Sequence, residues 1–270
     1  MRFLSLAACM LALSVSPALA GAWTQPQSEA QLIITGSYYS SDSYWNNLGS
    51  KQHQPNYTQY ALNPYFEYGL TDSLTAGTNL LLERAHQNSA TNSYSPHYGL
   101  GDSEFFLRQR LWQNNGFVVS AEPMVKLPAP ENSHAQPQLG GSSADAGMGL
   151  SGGYGFKACG LDHFIDLDTQ YRYRFGTPKD QARFNATLGV GVTQRLTIMP
   201  QLFTTYRLTS PRNAAFTDSS ADDYNLVKLQ LSGVYKLGEK TSVQLGVFDN
   251  AAGRNAGGGT GIFIAFWEHF

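Results

Sequence analysis

The chain has 270 residues, a formal net charge of −2 and only 14% charged residues. That balance suits no polyanion, so nucleic acid is excluded as a partner. The two cysteines, Cys9 and Cys159, cannot make a CxxC zinc or redox pair, and no cofactor is expected.

The opening stretch MRFLSLAACMLALSVSPALA reads as a secretory signal peptide. Arg2 gives it a positive start, residues 3–15 an apolar centre, and Ala18-Leu19-Ala20 a small-residue cleavage site before Gly21. LAAC at 6–9 is lipoprotein-like, but too few apolar residues precede Cys9 for that reading. Residues 1–20 are therefore assigned to the signal and 21–270 to a single domain. Beyond the signal no apolar run reaches the eighteen or so residues of a spanning helix. Low charge, 27 Gly and 15 Tyr leave a secreted β-sandwich or an outer-membrane β-barrel.

About twelve segments with period-two alternation follow. They lie near 30–41, 57–70, 73–85, 101–113, 117–127, 145–157, 161–175, 182–193, 196–208, 223–237, 241–250 and 259–270. In LDHFIDLDTQYRYRF, Ile165, Leu167, Tyr171 and Tyr173 fall on one face and Asp166, Asp168, Arg172 and Arg174 on the other. GFVVSAEPMVKLP and LTIMPQLFTTYRL repeat the pattern. Tight turns (LTDS, QNNG, KACG, TQR, LGEK) alternate with long polar stretches near 42–56, 86–99, 128–144, 176–181, 209–222 and 251–259. Short periplasmic turns and long outer loops are a barrel signature. Tyr38, Tyr39, Tyr60, Tyr68, Tyr154 and Tyr206 are assigned to aromatic girdles. The expected fold is all-β: a transmembrane antiparallel up-and-down β-barrel of about 12 strands, crossing the bacterial outer membrane many times and bathed in its lipid.

The chain closes on TGIFIAFWEHF. Ile264, Phe266 and Phe270 share the outward parity, and Glu268 breaks it at the rim. A terminal Phe on an alternating strand resembles the signal read by the barrel-assembly machinery, which is the expected folding partner.

Parity places Glu67, Glu83, Glu104, Glu122, Asp166 and Asp168 in the lumen. Arg108, Arg110, Lys126, Arg172, Arg174, Arg183, Arg207 and Lys228 join them. Two readings stand: a selectivity zone for charged solutes, or opposite charges paired as wall struts. Arg108, Arg110, Arg172 and Arg174 are the candidate site for a carboxylate or phosphate, by the bidentate geometry of guanidinium. Asp166 and Asp168 can neutralise it. GMGLSGGYGF puts Gly147, Gly149, Ser151, Gly153 and Gly155 inside, which leaves room for a solute or an inserted loop, or marks a tight bend. No histidine stands in an HxSNG or GxSxG setting, so no catalytic residue is assigned and an enzyme is not expected. Loop histidines with Asp218, Asp222 and Asp223 fit solvated loops better than a metal site.

GAWTQPQSEAQLIITGSYY, YFEYGLTDSLTAGTNL, GLGDSEFFLRQRLW, VVSAEPMVKLPAP, GVGVTQRLTIMPQ and GRNAGGGTGIFIAFWEHF together resemble the outer-membrane proteins called the MetA-pathway of phenol degradation family. The resemblance runs along most of the chain after the signal and rests on turn and strand signatures. It implies a membrane barrel that transports small, aromatic compounds. Three functions follow for test: a passive channel for small solutes, aromatic or anionic; a structural or surface-interaction barrel linked to adhesion or exopolysaccharide; and a lipid-modifying enzyme.

Parity predicts that Phe270→Asp lowers membrane insertion far more than His269→Asp, because only Phe270 continues the lipid-facing row. Equal yields of heat-modifiable protein in outer-membrane fractions would refute the terminal-signal reading.

Overall fold

The computed structural model describes residues 21–87, 96–129, 139–141, 143–176, 178–208 and 223–270. The stretch expected to be a signal (1–20) and most of the long stretches near 86–99, 128–144 and 209–222 lie outside the described residues.

Fifteen strand segments follow in chain order: β1 Ala30–Trp45, β2 Lys51–Thr71, β3 Leu74–Asn79, β4 Leu82–Gln87, β5 His97–Leu100, β6 Ser103–Asn114, β7 Phe117–Leu127 and β8 Asp145–Ala158. The second half holds β9 Leu161–Arg174, β10 Gln181–Gly191, β11 Leu196–Arg207, β12 Asn225–Lys236, β13 Thr241–Arg254, β14 Ala256–Gly257 and β15 Thr260–His269. They make twelve antiparallel crossings, because β3 runs on into β4, β5 runs on into β6, and β14 is a bridge in a loop. Each crossing pairs with the next, and β15 returns to β1 through ten paired residues from Gln31↔His269 to Ser40↔Thr260. The sheet is therefore a closed barrel.

Alternation sets the two faces as the sequence predicts. On β9, Ile165, Leu167 and Tyr171 are exposed while Asp166, Arg172 and Arg174 are buried. On β7, Phe117, Val119 and Val125 face out while Val118, Ser120 and Lys126 face in. On β15 Ile264 and Phe266 face out and Trp267 faces in. Tyr39 departs from expectation. It shares the inward parity of Ser37 and Ser41 and stacks on Phe248 across 6.0 Å, so it belongs to the lumen and not to a girdle.

One rim carries the tight turns. Asn115-Gly116 (φ 48° and 85°) and Cys159-Gly160 (φ 52° and 75°) hold two successive left-handed residues, the geometry of two-residue hairpin turns. The other rim carries the long connections. The first of these is not the irregular loop expected from its polar sequence. β1 and β2 stay paired through Tyr44↔Gln52 and Trp45↔Lys51 and turn only at residues 46–50. β14 then pairs with the end of β1, Trp45↔Ala256, so two connections fuse into one β-arm. Polar side chains on both faces suit strands that stand clear of the apolar belt.

Inside, phenylalanines lie over the glycines directly opposite them on the neighbouring strand. Phe164 faces Gly189, Phe106 faces Gly77, and Phe263 faces Gly246. A Cβ on Gly189 would fall 1.9 Å from the Phe164 ring, and one on Gly246 2.4 Å from Phe263. Covering a strand glycine with a cross-strand aromatic ring hides its bare backbone and fixes register.

Gly189→Ala should destabilise the barrel by about 1–3 kcal/mol through overpacking. Gly152→Ala, where an added Cβ meets nothing within 4 Å, should change little. Thermal unfolding of both in detergent checks this, and equal midpoints would refute the role of the ring contact.

Candidate functional site

Residues 21–29 precede the first strand, and all but Ser28 and Glu29, which bond the backbone of Gly69 on β2, stay off the wall's ladders. They cross the inside of the barrel at the tight-turn end. Ser28 N–H donates to the Gly69 carbonyl (2.8 Å), and the Gln27 N–H to the Asp72 carboxylate (3.0 Å). The Gln25 N–H donates to Thr75 Oγ1 (2.8 Å), and the Gln25 side chain to Glu67 (2.7 Å). Farther in, the Trp23 carbonyl accepts from Arg108 (3.2 Å) and the Ala22 carbonyl from Ser120 Oγ (2.5 Å). The Ala22 N–H ends the run on Asp166 of β9 (3.1 Å). β9 is the seventh of twelve crossings and β1 the first, so the segment spans the bore from one wall to the opposite one.

The inner-face glycines of β8 explain why it fits. A Cβ at Gly153 would come within 2.4 Å of the Trp23 ring. Of the alternatives that the sequence leaves open for this strand, room for an inserted stretch of chain is the one the structure fills. Trp23 then meets Phe164 edge-to-face at 6.1 Å and so packs against the buried cluster that Phe164 forms with Met199, Val234, Ala265 and Trp267. Ala22 is 0% exposed, Glu67 3% and Arg108 4%, so the inner end of the segment is closed to solvent, while residues 23–25 are half-buried and 26–29 exposed.

Arg108 is the polar hub of that half. Its guanidinium bonds Glu67 at 2.5 Å and Glu122 at 2.8 Å, and it lies 5.1 Å from the centre of the Phe106 ring. Arg172 grips both carboxylate oxygens of Glu104, and Arg183 reaches the same group at 3.9 Å. Toward the long-loop rim Glu104, Lys126, Asp145 and Arg174 occupy one cross-strand row with alternating sign. Lys126 bridges Asp102 (3.0 Å) and Asp145 (3.4 Å), and Arg174 lies 3.5 Å from Asp145 and 3.9 Å from Asp223. Asp102 also accepts the Gly141 N–H at 2.9 Å, which pins the loop above it. Cross-strand pairs of opposite charge in a desolvated wall hold register and leave little net field.

The four arginines picked out by the sequence are thus not brought together as one anion site. Arg108, Arg172 and Arg174 each hold a different acid. Arg110 lies lower, where the pairing with β7 shifts register, outside these ion pairs. Arg207 sits at the far end of β11, where its N–H donates to Asn225 (2.9 Å). Asp166 and Asp168 face the N-terminal segment. Glu83 accepts from Gln59 at 2.7 Å. The opposite wall is different in kind. Tyr57, Tyr39 and Phe248 form a continuous aromatic run. Lys228 lies 4.4 Å from the Phe248 ring centre and 5.3 Å from that of Phe203, with no carboxylate paired to it among the described residues. Sequence reasoning placed Lys228 inside but missed its aromatic frame. The inward parity of Tyr39 and Phe248 was the available signal.

No family model matches the chain, and no curated protein matches it. Solved structures do. The chain is similar to an outer membrane channel from Pseudomonas putida F1 with a TM-score of 0.73 and 15% identity, over 92% of this chain and 97% of that one. It is similar to the NanC porin with a TM-score of 0.50 and 10% identity, over 87% and 98% of the two chains. It also resembles the β domain of the Bordetella autotransporter BrkA, with a TM-score of 0.50 and 12% identity, over 90% and 100%. At these identities the likeness establishes the transmembrane-barrel fold.

Arg108→Met should cost about 3–5 kcal/mol, because it strands Glu67 and Glu122 in the packed half. Adding Glu67→Gln and Glu122→Gln should recover much of the loss. The heat-modifiable gel shift measures both. A single variant as stable as wild type would show that the hub is not structural.

Proposed function

We propose that this chain is an outer-membrane channel for small solutes whose bore is closed, in the state described, by its own N-terminal segment. The observation that carries the reading is the stopper itself. The tight-turn half is filled by chain that belongs to no strand and is held by a handful of hydrogen bonds. A wall that merely needed a solid interior could fill it with its own side chains, yet β8 presents glycine where Trp23 enters. On this reading residues 1–20 are a signal removed on export, the tight-turn rim faces the periplasm, the long-loop rim faces outside, and the barrel-assembly machinery inserts the chain.

The solute class follows from the open wall. An ammonium framed by Phe203 and Phe248 is a receptor for a small aromatic anion: the ring stacks on the wall and the carboxylate meets Lys228. The sequence resemblance to the MetA-pathway of phenol degradation family supports the same class, and the Pseudomonas structure is named an outer membrane channel.

Planar-bilayer recording tests the proposal. Wild-type protein should be silent or open rarely, and deletion of residues 22–27 should give frequent openings. Benzoate should block the openings of the deleted form, and Lys228→Gln should weaken that block several-fold while leaving the openings. A folded, deleted barrel that stays silent would sink the channel reading and favour the surface-interaction barrel, whose β-arm would then be the working part.

A further inference from the structure

Asp166 and Asp168 are two residues apart on β9 and share the inward face. Asp166 is 4% exposed. The nearest guanidiniums are committed elsewhere: Arg108 to Glu67 and Glu122, Arg172 to Glu104. Among the described residues neither aspartate has an ion-pair partner within 4 Å; Asp168 keeps an Asn185 side chain and Asp166 the Ala22 N–H. Two carboxylates side by side in a packed lumen need a cation, since burying an uncompensated charge is costly. What lies against them is Gly21. Its N–H also faces Asp166, and a Cβ on it would sit 3.2 Å from Asp168 Oδ2 and 3.5 Å from Ser151 Oγ.

We infer that the missing counter-ion is the α-ammonium of Gly21, created when the signal is cut off. Hydrolysis of the Ala20–Gly21 amide consumes one water. The C–N bond breaks, Ala20 keeps the carboxylate, and the Gly21 nitrogen takes up protons to become an ammonium. An α-amino group titrates near pH 7.7–8.0 in a free peptide, so it is largely charged at neutral pH. Before cleavage the same nitrogen is a neutral amide with one N–H to give; afterwards it carries a charge and three donors. Processing thus turns a weak tether into a charge-assisted clamp at the far wall, with Asp166 and Asp168 as its socket. The stopper locks only in the mature chain, which couples closure of the bore to completion of export. Glycine suits the position because an added Cβ would press on Asp168 Oδ2 at 3.2 Å and touch Ser151 Oγ at 3.5 Å.

The experiment uses full-length mature protein purified from membranes, with its N-terminus read by intact mass. An N-hydroxysuccinimide acetate pulse near neutral pH, followed by peptide mapping, gives the acetylation rate of the Gly21 amine relative to the denatured protein. The wild-type amine should react about tenfold more slowly than that of Asp166→Asn/Asp168→Asn, a difference equivalent to about one pKa unit. A second variant keeps the acids and moves the charge: Gly-Ser inserted between Ala20 and Gly21 should speed acetylation and raise the opening frequency in bilayers. Heat-modifiable gel shifts confirm that each variant is folded. Equal acetylation rates in folded wild type and double variant would overturn the inference, as would a mature chain that starts elsewhere than Gly21. Bilayer silence of the barrel lacking residues 22–27 would instead count against the channel reading, so the two failures are distinguishable.

Discussion

Hydrocarbon offers no partner for a backbone N–H or C=O, so a sheet that crosses it must bond every edge to itself. Here the closing seam is β1. Gln31 stands opposite Glu67 on β2 and His269 on β15, and the ladder continues on both sides to the rim of the belt. Once closed, the barrel gives each crossing one face to lipid and one to the bore. The outer face is satisfied by any apolar side chain. The inner face is a filling problem, because twelve strands enclose more space than a core of ordinary side chains covers.

The chain solves that problem differently at different heights. In the tight-turn half, phenylalanines fold over cross-strand glycines, an apolar cluster around Trp267 lines one wall, and Arg108 binds two acids on the other. Residues 21–29 fill the remaining gap. Higher up, the wall from β6 to β9 carries charges of alternating sign, each balanced by a neighbour. A row so balanced projects little field into the bore, so it does not select ions as a ring of one sign does. The facing wall instead carries the Lys228 ammonium among the Phe203 and Phe248 rings, so the two walls differ in kind.

Much of this was legible in the sequence, for a physical reason. Period two is a local rule: Ile165, Asp166 and Leu167 announce their faces without knowledge of any other strand. The crossing count, the turns at Asn115-Gly116 and Cys159-Gly160, and the inward set of charges all follow from it. Pairing between charges is not local. That Arg172 meets Glu104 and not Asp168 depends on strand tilt and on side-chain reach across the bore. The role of Trp23 was hidden for the same reason. Nothing in GAWTQPQSE alternates, and its partners at Asp72, Thr75, Ser120 and Gly153 are distant in the chain. The β-arm is hidden for another reason: its polar composition is that of a loop. Ser43, His53 and Lys51 are polar on both faces, yet pairing needs only a partner strand and not a buried face.

Sequence separation also orders events. The Ala22 bond to Asp166 joins residues 144 apart, and the Arg108 bond to the Trp23 carbonyl joins residues 85 apart. Neither site exists until several crossings have paired, and the socket on β9 faces a bore only after the seam at β15 closes. Residues 21–27, early in the sequence, are therefore the last to find their place. They make no backbone pair with the wall, so their departure leaves its ladders intact. Such a segment belongs to the low-stability end of the molecule, able to leave while the barrel holds. Its retention then rests on a few side-chain partners, chiefly Arg108, Ser120 and Asp166, and a change at any of them loosens the segment without touching the wall.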